Sequence, residues 1–222
     1  MGRKRIKTKK KRYRIPNRGL DESKLTLVSY DIVFEPIEDE SVRDVDPELA
    51  KEREEIYYRL REHPKECASR LEPLIEKYPE IPALYNHLSV AYRLTGEKEK
   101  ARDLILETYR KFPDYLFAKL GYVELCLDEN NLDEIPRILD NKYDLQFHYP
   151  ERTKFHITEL TAFTGTVGFY FCKAGRAEVA KIYHQMLSDV APDDPQTKRI
   201  ERALKASASL GILSKLAGWL DK

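Results

Sequence analysis

The stretch at residues 82–113, PALYNHLSVAYRLTGEKEKARDLILETYRKFP, decides how the chain folds. Its apolar residues recur at helical spacing before Gly96 and again after it, which predicts two amphipathic helices joined by a short turn. Glycine readily takes the left-handed conformation that ends a helix, so Gly96 marks the turn. Such a helix pair is too small to bury its own apolar faces and must stack on neighbouring pairs.

The same pattern recurs along the chain with a period of 34 residues. Residues 34 positions before or after those of this stretch are mostly of the same type: aromatic, small, aliphatic or proline. The matched sets are Tyr58, Tyr92 and Cys126; Cys67, Ala101 and Ile135; Leu71, Ile105 and Leu139; and Pro79 with Pro113. A fixed period in this range is typical of proteins built from helical repeats.

At residues 82–115 the sequence resembles a tetratricopeptide repeat. That family has a bulky residue, Leu, a small residue and Tyr in the first helix, then Ala, an aromatic or aliphatic residue, and Pro. Those places hold Tyr85, Leu88, Ser89, Tyr92, Ala101, Ile105 and Pro113. A degenerate fourth copy, displaced by an insertion that includes residues 141–149, fits Val167, Gly168, Phe171, Gly175, Ala180 and Pro192. The resemblance implies an all-α fold, a right-handed α-α superhelix of three to four helix pairs.

The chain is predicted to have four segments. Residues 1–20 form a disordered basic arm, 21–47 an extended segment, 48–195 the repeat array, and 196–222 a C-terminal capping or amphipathic helix. Apolar residues alternate within residues 24–37, which predicts one strand that an all-α protein gives no sheet to join. We expect it to dock on the chain's own repeats; the alternative is a partner's sheet edge.

Two features of the last segments leave alternatives open. Gly165 and Gly168, in the long helix of the fourth copy, indicate close backbone packing, with approach of a ligand as the alternative. In the C-terminal helix, Leu210, Leu213, Leu216, Trp219 and Leu220 lie opposite a thin polar side. It is interpreted as a cap on the array, with a membrane surface or self-association as alternatives.

The basic arm points to an anionic partner. Residues 1–18 carry ten Lys or Arg and no acid, although the formal net charge of the whole chain is only +1. Charges this dense repel one another and bury little, so we expect disorder. RNA, DNA, a ribosome or a lipid surface would complement them, and a nuclear-targeting signal or a merely solubilising tail is the alternative. The residues expected to contact the anionic partner are Arg3, Lys4, Arg5, Lys7, Lys9, Lys10, Lys11, Arg12 and Arg14.

The family resemblance implies a concave groove, lined by the first helix of each pair, that takes extended peptides or helices. Projecting the period gives the groove residues Glu52, Ile56, Arg59, Asn86, Val90, Arg93, Leu120, Glu124 and Leu127. Arg59 and Arg93 would occupy equivalent places and could jointly meet a carboxylate or phosphate; the alternative is a solvated face. The Lys/Asn/Arg clamp of some family members is not present at the matching positions, so a more apolar ligand fits better.

The sequence contains no motif typical of an enzyme. Its five histidines never fall at metal-ligand spacing, and the phosphate-loop, GxGxxG and GxSxG patterns are absent. We therefore expect no catalytic residue, metal or cofactor. The three cysteines lie at apolar positions without a CxxC, which favours a reducing compartment. The longest uncharged stretch, residues 160–172, has 13 residues, too few to cross a bilayer. We predict a soluble, cytoplasmic protein.

We expect a non-enzymatic scaffold or adaptor whose groove holds a protein segment while the basic arm contacts an anionic partner. The alternative is an RNA- or ribosome-associated factor in which the arm binds nucleic acid and the repeats position it. Membrane contact by the C-terminal helix is a further alternative.

Overall fold

The computed structural model describes residues 8–16, 25–34 and 46–220, and most of these residues are helical. The described helices are α1 (Pro47–Arg59), α2 (Pro64–Lys77), α3 (Pro82–Thr95), α4 (Lys98–Lys111), α5 (Leu116–Asp128), α6 (Ile135–Ile138), α7 (Leu145–His148), α8 (Ile157–Lys173), α9 (Ala177–Val190) and α10 (Pro195–Leu220). The described strands are β1 (Thr8–Pro16), β2 (Leu25–Val33) and β3 (Lys154–His156). The prediction of a mainly helical chain with packed helix pairs is confirmed.

The chain divides into two compact units. The central unit is Ile37–Leu125, and the sheet unit combines Met1–Pro36 with Cys126–Lys222. The boundary falls inside α5, whereas the sequence predicted one array over residues 48–195. Each unit has its own set of packed helices.

In the central unit, the second helices of the first two pairs follow the period of 34 residues: α2 begins at Pro64 and α4 at Lys98. They also end alike, because Tyr78 and Phe112 have nearly the same backbone angles, φ −127° and −129° with ψ 63° in both. Each donates its N–H to the carbonyl four residues earlier at 2.8 Å. A recurring sequence therefore produces a recurring local geometry.

Small residues stand where these second helices approach their neighbours. Cys67 and Ala101, one period apart, are 1% and 2% exposed. One turn further along, Leu71 and Ile105 are also buried. Burying each aliphatic side chain of this kind stabilises the fold by about 1.5–3 kcal/mol. The predicted equivalence of these positions holds.

The first helix of the first pair is displaced by two residues relative to the sequence projection. Tyr58 was expected to match Tyr92, but Tyr58 is 64% exposed and Tyr92 only 9%. The connector between α1 and α2 has four residues, 60–63, whereas that between α3 and α4 has two, 96–97. This longer connector makes Ile56, 36 residues before Tyr92, its counterpart, and Ile56 is fully buried.

Three helix pairs share one turn geometry. In each turn, a residue one or two positions after the end of the first helix is left-handed: Gly96 (φ 83°), Asn130 (φ 58°) and Gly175 (φ 73°). In each turn the next N–H donates to the carbonyl five residues earlier: Glu97 to Tyr92 (2.9 Å), Asn131 to Cys126 (2.8 Å) and Arg176 to Phe171 (2.9 Å). This bond pattern caps carbonyls at the helix end. The turn predicted at Gly96 is confirmed.

In the sheet unit, α8, α9 and α10 pack closely through two glycines of α8. A Cβ on Gly165 would clash with Cβ of Gln196. A Cβ on Gly168 would lie 2.5 Å from Cδ1 of Ile200 and 2.9 Å from Cβ of Tyr183. The close packing predicted for these glycines is confirmed, and it fixes where α10 crosses α8.

The sheet unit also contains a three-stranded sheet in the order β1-β2-β3, which the sequence did not predict. β1 pairs antiparallel with β2 over their full length, and β2 pairs parallel with β3. The strand expected in residues 24–37 therefore exists, but the expectation that it has no sheet to join is wrong. Within the predicted disordered arm, residues 8–16 form strand β1; residues 1–7 and 17–20 lie outside the described part of the chain.

One arginine anchors β3 to the start of α8. Arg152 donates to both carboxylate oxygens of Glu159, at 3.0 and 2.8 Å, and its guanidinium lies 4.6 Å from the ring centre of Phe155. Glu159 also accepts the backbone N–H of His156, the N-cap of α8, at 2.9 Å. A two-pronged pair of this kind is more specific in geometry than a single contact. The Arg152–Glu159 pair thereby holds β3 where it pairs with β2.

Candidate partner-binding surface

The structure places the nine predicted groove residues in different surroundings. Ile56, Leu120 and Leu127 are 0%, 5% and 1% exposed and belong to the core, so they cannot line a groove as predicted. The residues with accessible surface are Glu52, Arg59, Asn86, Val90, Arg93 and Glu124, of which Arg93 is the most open.

The physical reason differs between the helices. In α1, the longer connector shifts the register, so the counterparts of Asn86, Val90 and Arg93 are Ala50, Glu54 and Tyr57. In α5, apolar residues occupy most positions around the helix, and a helix of this kind is buried on most sides. The buried residues of α5 are Leu116, Ala118, Leu120, Val123, Cys126 and Leu127.

Arg59, one residue of the predicted arginine pair, forms ion pairs with carboxylates of its own unit. It contacts Glu55 at 3.4 Å and Glu66 at 2.8 Å. Glu55 also pairs with Arg70 at 3.0 Å, and that hydrogen bond is the main reason that the pKa of Glu55 is lowered. These ion pairs are solvent-exposed and contribute little to stability. The structure therefore gives Arg59 a role in joining α1 to α2, and the register shift removes its equivalence to Arg93.

Exposed aromatic rings mark a different part of the same helix. Tyr57 and Tyr58 on α1 are 49% and 64% exposed, and their ring centres lie 5.4 Å apart in an edge-to-face arrangement. Tyr57 also lies 5.9 Å from the ring of His87 on α3. These three residues, Tyr57, Tyr58 and His87, are called the aromatic surface below. It spans the first helices of two successive pairs.

His87 is the polar component of this surface. Its Nδ1 atom is buried and has no hydrogen-bond partner among the described residues. Burial, with a smaller contribution from the charge of Arg53, lowers the pKa of His87 to about 4. The imidazole is therefore neutral near pH 7. A buried polar atom without a partner costs about 1–3 kcal/mol.

A depression lies beside the end of α3. Its volume is about 470 Å³, and its lining residues are Glu62, His63, Pro64, Lys65, Glu66, Leu94 and Thr95. Leu94 is 50% exposed and stands two helical turns after His87, hence on the same side of α3. The longer α1–α2 connector forms the opposite wall. The depression thus offers an apolar contact within a charged rim.

The period of 34 residues does not single out Tyr57, because its neighbour Tyr58 is the residue that matches Tyr92. A signal was present: position 62, one period before Gly96, holds Glu and not the glycine that the short turn uses. That mismatch indicates a different connector and therefore a different register for α1.

Chemistry elsewhere in the described residues is limited. No group of His, Cys, Asp or Glu in that part of the chain is placed to hold a metal ion. Cys67 and Cys172 form no disulfide, and burial raises the pKa of Cys67 and raises that of Cys172 to about 11. Their thiols therefore stay protonated near neutral pH, which makes them poor nucleophiles. Among residues 46–220, no helix is long and apolar enough to cross a membrane.

A comparison with protein-family models, with curated proteins and with solved structures found no match for this chain.

Proposed function

We propose that the central unit is a non-enzymatic binding module that holds an apolar protein segment against the first helices α1 and α3. The observation that carries this proposal is the aromatic surface: two exposed tyrosines beside a histidine whose Nδ1 lacks a partner. The protein would act as a cytoplasmic scaffold or adaptor. The repeated turns and the period of 34 residues support a tetratricopeptide-like array, in which first helices form the binding side.

Exposed tyrosines suit this role for a physical reason. Tyrosine supplies a large contact area with few rotatable bonds, and it is enriched among residues that dominate binding energies. The edge-to-face contact between Tyr57 and Tyr58 restrains both rings before a ligand arrives, which reduces the entropy cost of binding. Leu94 extends the apolar contact along α3. An apolar or aromatic residue of the ligand would pack against the tyrosines.

We also infer that the basic arm contacts an anionic partner. Its residues Lys9, Lys10, Lys11, Arg12 and Arg14 lie in β1, whereas Arg3, Lys4, Arg5 and Lys7 lie outside the described residues. As a paired strand, β1 holds its backbone in an extended line beside β2. The alternative function, an RNA- or ribosome-associated factor, rests on this strand.

Selection of peptides on the full chain tests whether the central unit binds an apolar protein segment. A displayed peptide library is selected on the intact protein, and the affinities of the best peptides are measured by calorimetry. We expect apolar peptides whose Kd is raised at least about tenfold by Tyr57→Ala with Tyr58→Ala, because two large contacts are lost. Phe34→Ala is the matched control, since Phe34 is another exposed aromatic residue, 38% accessible, in the other unit.

The outcomes separate the two candidate functions. Peptide binding that does not change with salt and is weakened by the double tyrosine variant, but not by Phe34→Ala, supports the binding module. If no peptide is selected, or if both variants bind as the wild type does, the aromatic surface is not a binding site. Salt-dependent retention on RNA that is lost on deleting residues 1–18 would instead favour the RNA-associated alternative.

A further inference from the structure

Tyr58 and Leu94 occupy equivalent positions on the first helices of two successive pairs. They are 36 residues apart, and the ends of α1 and α3 are also 36 residues apart. Both side chains are exposed, with 64% and 50% of their surface open. Among the residues described between 46 and 125, the other exposed large apolar side chain is that of Tyr57. The apolar contacts that these helices offer therefore recur once for each helix pair.

The spacing of these contacts favours one conformation of the ligand. The rings of Tyr57 on α1 and His87 on α3 lie 5.9 Å apart, so the two helices are neighbours. Equivalent residues on neighbouring packed helices lie about 8–10 Å apart. On one side of a ligand, residues recur about every 5.4 Å in an α-helix, about every 6.8 Å in a strand and about every 9.3 Å in a polyproline II helix. Polyproline II thus presents one residue to each first helix.

The charges beside Leu94 are balanced. Glu62 and Lys65 line the depression at the end of α3. A third charged residue of its lining, Glu66, is paired with Arg59 at 2.8 Å. A strongly acidic or strongly basic segment would meet repulsion as well as attraction at this rim. The charge pattern therefore complements a segment without net charge.

The extent of the exposed apolar surface suits a short segment and not a second copy of the chain. Stable interfaces between folded partners use about 20–30 residues on each side, whereas three exposed apolar side chains are available on α1 and α3. Two of them are tyrosines, which also carry hydroxyl donors. The carbonyls of a polyproline II segment have no internal hydrogen bonds, so they are available to accept from such donors.

We propose that the first helices α1 and α3 bind a proline-rich segment in the polyproline II conformation. This inference rests on the proposed function, because it uses the aromatic surface, and it names the class of the bound segment. One proline packs against Tyr57 and Tyr58, and a proline one turn along the segment packs against Leu94. A proline-rich segment is already extended before it binds, so it loses little conformational entropy on an aromatic-lined surface.

Decaproline is the probe that isolates this conformation, because proline has no N–H with which to form a helix or to pair in a strand. Its binding to the full chain is measured by fluorescence anisotropy. The comparison peptide is a longer alanine-based helix that carries leucines along one face. The variants are Tyr57→Ala with Tyr58→Ala, the same pair changed to Phe, and Leu94→Ala. Phe34→Ala is the matched control, and circular dichroism verifies that each variant keeps the fold.

We expect the chain to bind decaproline and not the helical peptide. The double alanine variant raises the Kd for decaproline at least about tenfold. The double phenylalanine variant keeps the rings and loses only the hydroxyl donors, so its Kd lies between those of the wild type and the double alanine variant. Leu94→Ala raises the Kd about fourfold, the equivalent of about one buried methylene group. Phe34→Ala leaves the Kd unchanged.

Three outcomes overturn the inference. If the helical peptide, or a peptide selected from the library, binds through Tyr57 and Tyr58 while decaproline does not bind, this inference fails and the proposed protein-binding function stands. If decaproline binds the wild type and the double alanine variant equally, its site lies elsewhere and the inference fails. If neither peptide binds and the library yields none, the inference and the proposed function fail together.

Discussion

The ring of Tyr57 on α1 lies 5.9 Å from the ring of His87 on α3, with the two planes tilted by 43°. This contact joins the first helices of two successive pairs. It exists because the four-residue connector after α1 moves Tyr57, and not Tyr58, to the position that faces α3. The buried Nδ1 of His87 behind it makes the contact sensitive to pH.

His87 is expected to make the protein less stable in mild acid. Its pKa is lowered from 6.5 to about 4 in the folded state, so the folded chain binds fewer protons than the unfolded chain between these values. This contribution to stability is present above pH 6.5 and is lost as the pH falls towards 4. The full loss is about 3 kcal/mol. Urea unfolding of wild type and His87→Leu at pH 7 and pH 5 measures it. An equal pH dependence in the two proteins would contradict the assignment.

Asp144 is expected to act in the opposite direction. Its carboxylate accepts the Gln146 N–H at 2.8 Å at the start of α7, yet burial raises its pKa from 3.8 to about 7. The folded chain therefore binds more protons than the unfolded chain between pH 4 and 7, and this stabilisation is lost as the pH rises through 7. Asp144→Asn keeps a capping side chain but cannot titrate. Thermal unfolding at pH 5 and pH 8 should show a smaller difference in Tm for this variant than for the wild type; an unchanged difference would argue against a buried, titrating Asp144.

Gly168→Ala is expected to destabilise the sheet unit by about 1–3 kcal/mol, because the new methyl group overpacks a close crossing. It would lie 2.5 Å from Ile200 and 2.9 Å from Tyr183. Gly121→Ala in α5 is the matched control: its nearest contact is a side-chain atom of Ile105 at 3.3 Å. There the gain in helix propensity, about 1 kcal/mol, offsets the contact. Urea unfolding compares them, and equal losses in both variants would mean that the crossing at Gly168 is not specially tight.

Substitution of Asn130 tests whether the three equivalent turns all depend on a left-handed backbone conformation. It holds a left-handed conformation, φ 58°, at the place that Gly96 and Gly175 occupy in the other turns. Asn130→Gly should be neutral or slightly stabilising, and Asn130→Ala should cost about 1 kcal/mol, because alanine adopts this conformation with strain. Chemical denaturation of both variants measures the order. If alanine were tolerated better than glycine, the turn would not depend on this backbone conformation.

The sequence predicted the parts of the fold that depend on local pattern. The second helices α2 and α4 and the turn at Gly96 follow from residues near one another in the chain. The register of α1 could not be predicted in this way, because a chance match of Tyr58 to Tyr92 concealed the two extra connector residues. A period is reliable only where the connectors also match in length.

The sheet could not be predicted because its pairing is non-local. β3 has three residues and pairs with β2 more than 120 residues away. β1 is rich in Lys and Arg, and lysine has low strand propensity, so composition alone indicated disorder. Three of the predicted groove residues, Ile56, Leu120 and Leu127, are buried in the core instead. Tyr57 and the contact that it makes with His87 were not predicted.

Site-specific photo-crosslinking of a selected peptide tests the binding surface most directly. A photoreactive phenylalanine analogue replaces Tyr58, and in the control it replaces Glu107, an exposed residue of the second helix α4. We expect a crosslink from position 58, abolished by excess unlabelled peptide, and none from position 107. A crosslink from position 107 with none from position 58 would contradict binding on the first helices.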